Sequence, residues 1–271
     1  MNKLKSVFFT TLMLIVSAVA LIPLYIMIIM GTHSTRDIFA RINLIPGSYF
    51  IENCVTVLKS GYAVYYWNSF YIAVLTIVIS VFISTITGYA FAKFTFPFKK
   101  LMFVFIIANM MVPPQLGLIA YVMQMKAMRL LDSHIPLIMV YAASTYGVFF
   151  MTQYLKKALP YEIIESARVE GASEWGIFFR IAIRFAVPCM STLAIVVFMW
   201  SWNSYLLPLV LINKREAFTI PLGIATLGNY YRTDYGAQIC GLMLGTIPLI
   251  VLFAVGSRFF VKGLTAGAVK G

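Results

Sequence analysis

At 271 residues, the chain is 61% hydrophobic and only 11% charged, far below the roughly 25% charged residues of soluble domains, and its mean hydropathy is +0.90. These values exclude a water-soluble fold and require a polytopic membrane protein. The net charge of +12 does not signal nucleic acid. Its lysines and arginines fall in short loops between apolar runs, where membrane topology and anionic lipid headgroups account for them.

Six apolar runs are expected to span, at about 7–30, 67–92, 101–125, 134–154, 186–212 and 239–261, each long enough for a bilayer core of about 30 Å. The first follows Lys3 and Lys5 and contains Ala18-Val19-Ala20, as a cleavable signal does. Its apolar residues continue through Met30, so a retained anchor is expected. Pro113-Pro114 interrupts the third run, while Pro188 and Pro248 enter the fifth and sixth as expected packing kinks. No acidic or basic side chain falls in the middle of a span, which argues against a proton- or sodium-coupled carrier. Cys54, Cys189 and Cys240 are scattered and odd in number, so neither a disulfide framework nor a metal site is expected.

Orientation follows from the cations. With the N-terminus inside, the inner segments hold 13 of the 21 lysines and arginines, and the outer segments the other 8. The bias places both termini, and residues 155–185, in the cytoplasm.

That 155–185 segment is the polar exception in the chain, and four of the nine acids lie within its residues 160–175. It reads as two short helices with a bend. Pro160 suits a first helical position, with Glu162 and Glu165 at the positive end of the helix dipole. Gly171 can end the first helix in the left-handed conformation, and Ser173 can cap the second, which runs through Trp175, Phe178 and Phe179. Ile164, Ala167 and Gly171 recur on one narrow face of apolar or small side chains. Two readings fit equally: a docking face for a soluble partner, or an interfacial helix anchored on headgroups by Trp175 and Phe179.

Glu165-Ser166-Ala167, then Gly171, Ile181 and Ile183, closely resembles the E-A-A-x3-G-x9-I-x-L-P loop of membrane subunits of ATP-binding-cassette (ABC) importers. Ser166 replaces the middle Ala of that pattern, Ile183 its Leu and Arg184 its Pro. Trp202-Asn203-Ser204-Tyr205-Leu206-Leu207-Pro208-Leu209 resembles the fifth-span stretch of carbohydrate importers. The residues from Phe260 to the C-terminus resemble the ending of the second permease subunit of maltose-type systems, and Leu131-Asp132-Ser133-His134 fits the same family.

The resemblance implies an all-α, six-span, type I ABC importer permease in the bacterial plasma membrane. Residues 1–66 would form an anchor helix and outer loop, 67–262 the transporter core with its coupling loop, and 263–271 a cytoplasmic tail. The expected partners are a second, homologous permease subunit, two ATP-binding subunits, an extracytoplasmic solute-binding protein, a carbohydrate substrate and membrane lipid. ATP and Mg would be used by the partner subunits, with no cofactor held by this chain, which has no G-x-x-x-x-G-K-[ST] loop. Coupling to the ATPases is expected from Glu162, Glu165, Ser166, Ala167, Glu170, Gly171 and Ala172, with further contact from Thr265, Gly267 and Lys270 in the tail. Aromatic rings stack on sugars and amides bond hydroxyls, so Trp202, Asn203 and Tyr205 are the candidates for the substrate path. The alternatives are interfacial-belt aromatics and an Asn that satisfies kinked backbone. The same loop also fits an importer of peptides, polyamines or ions. A membrane enzyme would need converging titratable groups, and His33 and His134 have no paired acids at metal spacing.

Overall fold

The computed structural model describes residues 3–40, 42–229 and 232–265. Helices α1 (Lys3–Met30), α2 (Thr35–Ala40), α3 (Phe50–Lys59), α4 (Tyr62–Lys93), α5 (Lys99–Met111) and α6 (Leu118–Ala127) come first. There follow α7 (Ile135–Ala142), α8 (Thr145–Ala158), α9 (Tyr161–Val169), α10 (Glu174–Ile177), α11 (Ile183–Trp202), α12 (Leu206–Leu211), α13 (Ile220–Ala225) and α14 (Tyr235–Thr265). One two-residue antiparallel ladder, β1 (Gly228–Asn229) against β2 (Arg232–Thr233), interrupts the helices.

Among the described residues, five stretches are each long and apolar enough to cross a membrane: Lys5–Met30, Tyr62–Lys93, Ile135–Ala158, Glu174–Trp202 and Tyr235–Gly256. The third run is broken at Pro113-Pro114, as the sequence indicates. It divides into α5 and a segment from Pro114 to Ala127 bent by 93°. Pro113 is extended (φ −59°, ψ 126°) because the proline after it disfavours helical backbone, and Pro114 opens a 3-10 turn. The fourth run breaks gently at Ala143, where Ser144 restarts the helix by accepting a hydrogen bond from the Gly147 N–H (3.1 Å). Pro188 and Pro248 lie inside helices, as expected.

The chain divides into two compact units, residues 1–63 with 221–247 and residues 64–220 with 248–271. In the first, the Asn53 side chain donates to the Gly31 and His33 carbonyls (2.9 and 3.0 Å), fastening α3 to the end of α1. Asp234 caps α14 through the Ala237 N–H (3.0 Å), and the Tyr62 hydroxyl reaches the Gly241 carbonyl (3.2 Å).

The second unit is organised around α4, α8 and α11. Thr76, Ser80, Ser84 and Gly88 recur every fourth residue on α4, a stripe of small residues that lets neighbouring backbones approach. A Cβ on Gly147 would sit 2.3 Å from the Ser84 hydroxyl, and one on Gly88 2.7 Å from the Met151 Cβ. Val81, Tyr89, Met151, Leu155, Leu193 and Val197 fill the core around this close approach. Between α6 and α7, Asp132 (φ +59°) donates its N–H to the Leu211 carbonyl, and its carboxylate accepts from the Asn213 and Lys214 N–H groups. The His134 ring joins the Tyr71 hydroxyl on one side and the Ala217 carbonyl (2.7 Å) on the other. The Leu131–His134 stretch is thus a junction that ties α4 and the residues after α12 to the α6–α7 loop.

Candidate functional site

The segment after α8 is built by local chemistry. Lys156 and Lys157 occupy the last turn of α8, at the negative end of its dipole. Pro160 then takes an extended conformation (φ −62°, ψ 145°) and caps α9, so the helix begins at Tyr161 and not at the proline. Glu162 stands in the first turn, and its carbonyl accepts from the Ser166 hydroxyl (2.9 Å).

The end of α9 is a Schellman motif. Ala172 N–H bonds the Ala167 carbonyl (2.9 Å) and Gly171 N–H the Arg168 carbonyl (3.0 Å), with Gly171 left-handed at φ +82°. Ser173 then accepts from the Gly176 N–H (3.2 Å) to start α10. A π-helical turn, Phe178–Ala182, joins α10 to α11, so Glu174–Trp202 is one continuous helix. Arg184, exposed on the first turn of α11, keeps the helix running where a proline would restrict the backbone.

Packing decides which face of α9 is free. Ile164 is 0% exposed and Ala167 8%, and both join the core with Leu155, Leu159, Ile177 and Phe178. The expectation that Ala167 belongs to an outward small-residue face is therefore corrected: its methyl is covered by this chain's own core. Glu162, Glu165, Ser166, Glu170, Gly171 and Ala172 are all exposed, together with Val169 (89%) and Trp175 (62%). The outer surface is an acidic rim around a small apolar spot.

One arrangement there escaped the sequence reading. The Arg168 guanidinium grips the Glu174 carboxylate with two bonds, Nε–Oε1 at 2.6 Å and Nη2–Oε2 at 3.2 Å. It also reaches the Tyr161 hydroxyl (3.4 Å) and lies over the Phe94 ring, 5.8 Å from its centre. Arg168 and Glu174 stand three residues either side of Gly171, a spacing that a left-handed turn folds into contact. The ion pair pins α9 to the helix that becomes α11.

The substrate-path candidates separate. Trp202 is 2% exposed, stacked on Phe198 (5.1 Å) with the Tyr66 ring edge-on (5.6 Å), and is corrected to a core residue. Asn203 is exposed and donates to the Met199 carbonyl (2.9 Å), so it closes the end of α11. Tyr205 is exposed at the start of α12. Thr265 ends α14, while Gly267 and Lys270 lie outside the described residues. Among the described residues, no group of three or more His, Cys, Asp or Glu is placed to hold a metal ion.

Residues 84–265 match the family described as "Binding-protein-dependent transport system inner membrane component". The chain is 28% identical to the arabinooligosaccharides transport system permease protein AraQ of Bacillus subtilis, over 97% of this chain and 95% of that one. It is 30% identical to the lactose transport system permease protein LacG of Rhizobium radiobacter (91% and 90%). It is 28% identical to the sn-glycerol-3-phosphate transport system permease protein UgpE of Escherichia coli O1:K1 / APEC (96% and 95%). Its fold is similar to that of a chain from a bacterial ABC transporter involved in the import of the acidic polysaccharide alginate, with a TM-score of 0.79 at 18% identity, covering 95% of this chain and 97% of that one.

Proposed function

The chain belongs to the family of inner-membrane components of binding-protein-dependent transport systems, and on that premise we propose that it is one permease subunit of an ATP-driven carbohydrate importer. It pairs with a homologous permease subunit to enclose the translocation path. Two ATP-binding subunits dock on the cytoplasmic side, where both termini lie, and an extracytoplasmic binding protein delivers the sugar to the outer loops. This chain binds no cofactor; ATP and Mg act on the ATPase subunits.

The observation that carries the reading is the shape of α9. Its apolar side is fixed to the core, its acids project outward, and Arg168 and Glu174 join it to the helix that becomes the fifth span. Such a helix transmits a push. When ATP brings the two ATPases together, a partner seated on the acidic rim moves α9, and the rigid connection carries that movement into α11. Glu162, Glu165, Ser166, Glu170, Gly171 and Ala172 form the contact surface, and Ala167 seats the helix from within. Thr265, Gly267 and Lys270 add a tail contact. Deleting 265–271 lowers ATPase coupling, and unchanged transport with unchanged complex yield would remove the tail from the contact.

Carbohydrate is favoured by the relatives, whose names specify arabino-oligosaccharides, lactose and a polyol phosphate. The test is ATP hydrolysis by the reconstituted complex with its binding protein, across oligosaccharides, sn-glycerol-3-phosphate, peptides and polyamines. Stimulation by an oligosaccharide supports the reading; stimulation by peptides or polyamines alone overturns its substrate class.

A further inference from the structure

Two cysteines far apart in sequence meet in the first unit. The Sγ atoms of Cys54, on α3, and Cys240, near the start of α14, are 3.3 Å apart across 186 residues. Both are free thiols in this structure, Cys54 half-buried and Cys240 with no exposed surface.

The surroundings hold the two sulfurs together. One residue before Cys54, the Asn53 side chain is fixed to the Gly31 and His33 carbonyls. One residue after Cys240, the Gly241 carbonyl accepts from the Tyr62 hydroxyl (3.2 Å). Close backbone packing leaves little slack: a Cβ on Gly31 would lie 3.3 Å from the Cys240 Cα, and one on Gly236 2.6 Å from the His33 carbonyl oxygen. Three elements therefore converge on the thiol pair, namely the end of α1, α3 and the start of α14.

We infer that Cys54 and Cys240 are a disulfide-forming pair that staples the outer loop to the last span. The inference rests on the orientation proposed above, which puts both residues on the extracytoplasmic side, where disulfides persist. The oxidant is the disulfide of an extracytoplasmic thiol–disulfide oxidoreductase. Cys54, the more accessible thiol, loses its proton to solvent, and its thiolate attacks one sulfur of that disulfide, expelling the other as a thiolate. Cys240 then loses its proton and attacks the Cys54 sulfur, releasing the oxidant's second thiolate. The chain gives up two electrons and two protons, and the oxidant leaves as a dithiol. Because the bond closes a long loop, it constrains the unfolded chain strongly.

The test uses the complex in native membranes, with free thiols blocked by N-ethylmaleimide before solubilisation, then digested without reductant. The expected result is a linked peptide pair containing Cys54 and Cys240, two hydrogens lighter than the separate peptides. Reduction should also lower the thermal midpoint of the purified complex by about 4 °C or more, and should leave a Cys54→Ala/Cys240→Ala variant unmoved. Recovery of both cysteines as separately alkylated peptides overturns the bond whatever the orientation. A Cys189→Ser/Cys240→Ser variant keeps Cys54 as the chain's remaining cysteine for labelling by a membrane-impermeant maleimide in intact cells. Labelling only in inverted vesicles overturns the orientation, while a linked pair in the wild type would still uphold the bond.

Discussion

Trp202 and Asn203 are adjacent in the chain and do opposite things. The indole is enclosed by Phe198 and Tyr66, so Trp202→Ala leaves a cavity and should cost about 3–5 kcal/mol. A thermal melt of the purified complex should show a marked fall, and an unchanged midpoint would contradict the core assignment. Asn203→Ala removes one exposed bond to the Met199 carbonyl, worth about 1 kcal/mol, so assembly should survive. If Asn203 also meets substrate, uptake falls in that variant; wild-type uptake removes it from the path. Asp132 makes a second prediction. The Asn213 N–H, with help from Lys214, holds its carboxylate below the usual aspartate range. A depressed carboxylate stabilises above its unfolded pKa, and the gain disappears as pH falls through the folded value. The gap in thermal midpoint between wild type and Asp132→Ala should therefore be full at neutral pH and close in acid, below about pH 3.9. A gap that persists there would show that the charge is irrelevant.

At the scale of elements, the Arg168–Glu174 pair separates coupling from stability. Its side chains are 32% and 47% exposed, so the pair contributes only about 0.2–1 kcal/mol to the fold. Its predicted importance lies in keeping α9 and the fifth span moving together. Arg168→Glu should reduce sugar transported per ATP hydrolysed while complex yield stays near wild type, and adding Glu174→Arg should restore much of it. Equal loss in the single and double variants would contradict the link. Much of this region was legible in the sequence because its signals are local: Gly171 needs φ > 0, Ser173 offers a cap, and Pro113-Pro114 cannot continue a helix. The facing of α9 was not legible. Ile164 and Ala167 announce an apolar stripe, but only the placement of Leu155, Leu159, Ile177 and Phe178 shows that the stripe is already covered. The Cys54–Cys240 contact was hidden for a similar reason, since it depends on where helices separated by 186 residues meet.

Across the whole molecule, the charge asymmetry and the apolar spans fit the proposal of a device worked from one side of the membrane. Lysines and arginines are concentrated on the segments assigned to the cytoplasm, and within that basic setting the acidic stretch 160–175 stands out. The six-run pattern anticipated the spans; the 93° bend at Pro113 was signalled as a break without its angle. The coupling role proposed for α9 rests on its outward acids being gripped by another protein. The most direct measurement is a cross-link from a Glu165→Cys variant, exposed where Ala167 is not, in membranes containing the assembled complex. The account predicts a product joining this chain to a nucleotide-hydrolysing subunit, with a yield that changes when ATP is added. An intact complex in which Glu165→Cys never reaches such a subunit would contradict it.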